Sequence, residues 1–213
     1  MNIYINETKI DYKPLFPLSW GSFFQKLLQN SQYIPSNHGI VKIQVDGLDS
    51  LNVMMDHSDQ LVPEYTREIR IATKDSVSIT RDGLGRVIAL IESIKSEIAM
   101  AADLYREGNI KEASSKVTRI MEAFKPMINF INSVGISFAM NFDHLMFNAT
   151  TSVKEKIESF LKTFQDLLAA QEKRDFVELA DYLEYQLIDD MADWNTIANV
   201  LLKEVEASIA NNA

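Results

Sequence analysis

Two hydrophobic periods divide the chain. Up to about residue 74, apolar and polar side chains alternate over short stretches; beyond it, apolar residues recur every three or four positions over long ones. Alternation places one face of a strand on a core, and a spacing near 3.6 does the same for a helix. In the first part, Ile3-Tyr4-Ile5 and Lys9-Ile10-Asp11-Tyr12 flank Asn6-Glu7-Thr8 and predict a β-hairpin. Pro14 and Pro17 break the second strand. Ser19 stands where a cap is needed for a short helix from Trp20 to Asn30, with Trp20, Phe23, Phe24, Leu27 and Leu28 on one face. Ile40 to Val45 predicts a strand ended by Asp46-Gly47, and Arg67 to Ala72 predicts another, with residues 48–66 irregular between them. Hairpin, helix, strand, strand predicts a small α+β head over residues 1–74. A β-grasp-like arrangement fits that order, and so do other small α+β orders.

From Lys74-Asp75-Ser76 onward the pattern is helical, and residues 75–213 form the second expected domain. The first stripe is Leu84, Val87, Ile88, Ile91, Ile94, Ile98, Ala101, Ala102 and Tyr105, stopped by Gly108-Asn109. The second is Ile110, Ala113, Val117, Ile120, Met121, Phe124, Ile128 and Ile131, with Pro126 inside it predicting a kink near Glu122. Thr151 or Ser152 caps a third helix carrying Val153, Ile157, Phe160, Leu161, Phe164, Leu167 and Leu168. After the turn Glu172-Lys173-Arg174-Asp175 comes a fourth stripe, from Phe176, Leu179, Leu183 and Leu187 through Met191 and Trp194 to Ile197, Leu201 and Val205. Short turns between long helices make neighbours antiparallel. The expected fold is therefore mainly α, α+β overall: an antiparallel four-helix bundle of two helical hairpins, preceded by the small head. The two hairpins align without gaps at an offset of 66 residues, matching Glu107-Gly108-Asn109 to Lys173-Arg174-Asp175. Either a duplication or one shared amphipathic pattern produces that alignment.

Composition narrows the function classes. The net charge is −9, and nearly all of it lies in the helical part: residues 75–213 carry 14 basic and 22 acidic side chains. An acidic bundle repels phosphate backbones and anionic lipid, so neither nucleic acid nor membrane is an expected partner. No run of about 18 apolar residues offers a membrane span. The absence of cysteine excludes disulfides, thiolate metal sites and a cysteine nucleophile. With no basic, apolar leader at Met1-Asn2-Ile3, these features predict the cytoplasm.

Candidate chemistry is sparse. His38, His57 and His144 have no Glu-x-x-His or His-x-x-x-His spacing that would bring ligands to one helix face. Glu184, Asp189, Asp190 and Asp193 are close enough along one helix to hold a cation or act as an acid–base pair, though solvated helix faces look the same. Asp82-Gly83-Leu84-Gly85-Arg86 lacks the spacing of a phosphate loop and reads as a helix start or kink. No catalytic residue, metal ligand or cofactor is assigned on this reading. Methionine-rich apolar stretches remain: Met54-Met55 in the head, and Met140, Phe142, Leu145, Met146 and Phe147 in the connector 134–151. Such side chains either fill a core or offer an adaptable surface to a protein partner. The connector is more apolar than a solvated link needs to be, which favours a homodimer joined there.

The segment Asp175-Phe176-Val177-Glu178-Leu179-Ala180-Asp181-Tyr182-Leu183-Glu184-Tyr185-Gln186-Leu187, followed by Trp194, resembles the bundles of flagellar export chaperones of the FliS type. The likeness covers about the last 130 residues, at the level of helix pattern. It implies a bacterial, motility-related protein that holds a partner's tail. The head departs from that family, and no functional residue is carried over. The expected function is a non-enzymatic interaction protein, adaptor or chaperone. The alternatives are a metal-binding or carboxylate-based enzyme, and a ligand-sensing bundle.

Overall fold

The computed structural model describes residues 1–51 and 56–210; Met54 and Met55 lie outside the described residues. The protein is α+β, with a five-stranded sheet near the N-terminus and long helices after it. It divides into two compact units, Met1–Ile79 and Thr80–Ala213.

In the first unit, strands β1 (Asn2–Ile5) and β2 (Thr8–Ile10) pair antiparallel, with Ile3 opposite Ile10. The turn needs left-handed backbone at both central residues, and Asn6 (φ 46°) and Glu7 (φ 65°) supply it. Asn6 also ties the hairpin to the strand that lies beside β1 in the sheet: its Oδ1 accepts from the Thr73 N–H at 2.8 Å. Helix α1 (Trp20–Leu28) follows, with the Ser19 hydroxyl accepting from the Ser22 N–H. Its buried face is Trp20, Phe23, Phe24 and Leu27; Leu28, expected on that face, is exposed because it lies about 100° round the helix from Leu27. Strand β3 (His38–Val45) turns at Asp46-Gly47 into a two-residue strand β4 (Leu48–Asp49), inside the stretch expected to be irregular. Two residues of pairing leave too short an alternation to be read from sequence. Strand β5 (Glu68–Asp75) lies in the middle of the sheet, parallel to β1 and antiparallel to β3, giving the order β2-β1-β5-β3-β4. Its Ile69 and Ile71 join Ile3, Ile5 and Ile43 against the aromatic face of α1 in one apolar core.

The second unit is built from α2 (Ser76–Arg106) from Thr80 onward, α3 (Ile110–Ser137), α4 (Val153–Lys173) and a last helical run. That run comprises α5 (Phe176–Asp181), a π-helical segment Tyr182–Leu187 and α6 (Ile188–Ala210). Gly83 and Gly85 lie inside α2 rather than at its start. Gly83 is set by packing: a Cβ there would stand 2.1 Å from Cζ of Phe130 on α3. Helix α3 continues through Pro126 to Ser137. Helix α4 opens with a capping box, Ser152 and Glu155 each satisfying the other's backbone N–H.

Three helices end in the same way. After α2, α3 and α4 the residues Gly108, Ala139 and Arg174 take positive φ (80°, 50° and 58°). In each case the next N–H reaches back to a carbonyl one turn inside the helix: Asn109 to Leu104 at 2.8 Å, Met140 to Gly135 at 2.8 Å, Asp175 to Ala170 at 3.0 Å. The turns at Gly108 and Arg174 are the pair aligned at the 66-residue offset.

One core gathers buried side chains from every helix of this unit, including Leu84, Ile91, Ile98, Phe124, Phe160, Leu187 and Trp194. Phe160 is its aromatic centre, with ring centroids 5.0 Å from Phe124, 4.7 Å from Phe164 and 5.0 Å from Trp194. Leu183, Leu187 and Trp194 face this interior, as their stripe predicts. Leu161 and Leu168 do not: each is one residue past a core position, Phe160 or Leu167, and is exposed. The π-helical segment has a packing reason. Leu179, Leu183, Leu187 and Met191 are spaced by four and all buried. Four-residue steps drift ahead of a 3.6-residue turn, and a more slowly wound stretch takes up the drift.

Candidate functional site

The connector between α3 and α4 is a compact loop. Asn141 Oδ1 accepts from the Asp143 N–H, and Asn148 Oδ1 from the Thr150 and Thr151 N–H groups, all at 2.9 Å. Val153 N–H donates to Leu145 O at 2.8 Å, and Lys154 pairs with Asp143 at 2.8 Å. These contacts fasten the loop to the first turn of α4. Met140, Phe142, Leu145 and Phe147 are partly buried and pack on the helical core. The Lys156 ammonium stands 5.0 Å from the centroid of the Phe147 ring. The Phe142 ring lies on Gly135, where a Cβ would be 2.6 Å from its Cζ.

The same loop leaves apolar surface open. Ile136 is 83 % exposed and Met146 48 %. Ile136, Gly135, Ala139, Met140 and Phe142 line an open hollow of about 680 Å³, with Asn132 and Asn141 at its polar side. Of the five residues expected to touch a partner, Met140 and Phe142 line this hollow and Met146 is exposed, while Leu145 and Phe147 pack on the helices. Ile136, the most exposed apolar side chain of the group, was counted only as part of the connector in the sequence. It sits in the last turn of α3, where helical periodicity gives it no core neighbour.

The carboxylates of the last helical run separate into different environments. Glu184 pairs with Arg106, which also holds Asp181 at 3.2 Å. Asp193 pairs with Lys156 at 2.6 Å. Asp189 is exposed. Asp190 is 7 % exposed and its Oδ2 lacks a hydrogen-bond partner. Burial pushes the Asp190 carboxyl above the usual range, against a hydrogen bond with Thr163 that lowers it. Among the described residues no three His, Cys, Asp or Glu side chains stand where they could share a metal ion. Arg106, Lys156 and Thr163 come from other helices, so sequence spacing along one helix could not reveal them. The histidines are dispersed: His38 Nδ1 is 3.3 Å from Thr73 Oγ1, His57 Nδ1 is 3.2 Å from Gln60 Nε2, and His144 is exposed.

Residues 82–197 match a family described as a domain of unknown function, DUF8042. The chain belongs to that family. The DUF8042 region starts within α2 and ends within α6, so it takes in the connector, the hollow and all four carboxylates, and leaves out the sheet. No curated protein and no solved structure matches the chain. Among the described residues of this DUF8042 protein, no helix is long and apolar enough to cross a membrane.

Proposed function

We propose that the protein is a non-enzymatic adaptor or chaperone-like protein that takes an apolar helix or tail of a protein partner at the end of α3. The observation that carries this reading is Ile136, 83 % exposed beside Met140 and Phe142 in an open hollow. Large side chains left in water at a concave place mark binding surfaces. The connector's own hydrogen bonds hold that surface in shape without a partner, which lowers the ordering cost of binding. On this reading the helical unit is an antiparallel four-helix bundle of two hairpins; the short turns at Gly108 and Arg174 and the shared core support it. The strand order, with α1 between β2 and β3, supports a β-grasp head. A cytoplasmic, motility-related setting follows from the likeness to flagellar export chaperones, and a homodimer from the same apolar surface.

The test is binding by an Ile136→Glu, Met146→Glu variant. Both side chains are exposed, so the fold should survive while partner capture from the source cell falls at least tenfold. Equal capture by the wild type and the variant refutes the assignment of the surface. Light scattering on the same pair reads the dimer: a monomeric wild type of 24.2 kDa at micromolar concentration refutes self-association. The alternative of a carboxylate-based enzyme or metal site finds less support, because Glu184 and Asp193 are held by Arg106 and Lys156.

A further inference from the structure

Asp190 interrupts an apolar stripe. It is the one buried acid among the described residues, and its Oδ2 has no hydrogen-bond partner. One helical turn on, Trp194 is 1 % exposed and its Nε1–H is also without a partner. Positions four apart share a helix face, so Asp190 and Trp194 leave α6 on the same buried side.

The groups that act on Asp190 are few. From α4 come Thr163 and Lys156; from α6 itself come Asp193 and Asp189. The buried positions of α2 are Thr80 and otherwise apolar or aromatic, and those of α3 and of the run Phe176–Leu187 carry no titratable side chain. Lys156 is the only cation in the set, and it lies 2.6 Å from Asp193 Oδ2, which has first claim on it. Thr163 offers Asp190 one hydrogen bond, which lowers its carboxyl, but the single hydroxyl proton is shared with Ser159 O, 3.4 Å away, and burial outweighs it.

We propose that Asp190 is a proton-binding site built into the helical unit: α4 and α6 pack around its neutral acid, and ionisation loosens that packing at Trp194. Burial disfavours the charged form, and Asp193 and Asp189 repel it further. The folded chain therefore keeps a proton that the unfolded chain releases near the ordinary carboxylate value of about 4. The contribution of Asp190 to stability falls as pH rises from that value through the folded one, and is level above it.

The experiment uses full-length protein labelled with 5-fluorotryptophan. Its two tryptophans give two fluorine resonances, assigned with Trp20→Phe. The Trp194 resonance should move with pH around a midpoint above about 4, while that of Trp20 stays still. Asp190→Asn should abolish the movement, and over the same interval the urea midpoint of the wild type should fall relative to the variant. Lys156→Met keeps the acid and removes its only cation, so it should move the midpoint upward. A Trp194 resonance that is flat from about pH 4 to 8, or that still titrates in Asp190→Asn, overturns the proposal. So does a midpoint that Lys156→Met leaves in place or lowers.

Discussion

Phe160→Ala is the sharpest probe of the helical core. The side chain is 2 % exposed and touches aromatic rings from α3, α4 and α6. Truncating a buried phenylalanine costs about 3–5 kcal/mol, since the lost transfer free energy is joined by a cavity that relaxes only partly. The ring contacts move the expectation to the upper end: edge-on pairs each contribute about 0.5–1.5 kcal/mol beyond area, and Phe124 and Trp194 both meet Phe160 edge-on. The neighbours are themselves large rings, which cannot collapse into a phenyl-sized void without leaving their own rotamers. About 4–5 kcal/mol is expected. Urea unfolding followed by helical circular dichroism reads it, with the midpoint falling by roughly 2 M for a slope of about 2 kcal/mol/M. At about 2.1 cal/mol/K per residue over the 213 residues, the melting temperature should drop by on the order of 10 °C. Phe160→Leu keeps most of the volume and should cost less than half as much. A loss below about 1 kcal/mol for Phe160→Ala, at unchanged slope, would mean that the ring cluster is not the core.

Leu187→Ala should cost about 2–5 kcal/mol in the same assay, whereas Leu161→Ala, on the exposed flank of α4, should stay within about 0.5 kcal/mol. Ser152→Ala should cost about 1 kcal/mol by removing the cap of α4. Its partner Glu155 is held below the usual carboxylate range by hydrogen bonds from the Ser152 backbone and side chain, so its contribution is present above the ordinary range and lost as pH falls through the folded value. Acid titration of Glu155→Gln should lack that loss; a curve superimposable on the wild type refutes it. Arg174→Gly should raise stability by about 0.5–1 kcal/mol, because glycine takes the left-handed backbone without a Cβ penalty; a lower urea midpoint speaks against it.

Legibility in the sequence followed the range of the interactions. The stripes from Leu84 to Tyr105 and from Leu179 to Val205 were readable because one helix face repeats locally, and Ser19 and Ser152 because a cap acts across three residues. Leu161 and Leu168 went wrong because a stripe has a width, and its edge is set by where the neighbouring helix stops. The role of Gly83 could not be read, since the Phe130 ring that requires it comes from another helix. The π-helical segment was hidden for a related reason: a spacing of four is compatible with α-helix over two turns and strays only over three. At the candidate surface, the apolar excess of the connector was visible. Which of its side chains turn inward depends on the Leu145–Val153 and Asn148–Thr151 hydrogen bonds, which periodicity does not encode.

Asp75 gives the chain an awkward place to be cut. It ends β5, and its Oδ1 accepts from the Ser78 N–H at 2.8 Å, so the last residue of a strand also starts the longest helix. The division into compact units falls later, between Ile79 and Thr80. A fragment trimmed at that division would lose the cap and the first four residues of α2, exposing amide groups that the whole chain satisfies. Beginning at Asp75 restores the cap but takes the end pairing of the β3–β5 ladder, where Asp75 stands opposite His38. The end of β5 and the start of α2 thus share one residue, and no single cut leaves both intact. Recombination between such chains would be constrained in the same way: exchanging either half requires a junction that brings its own acid or hydroxyl to that position.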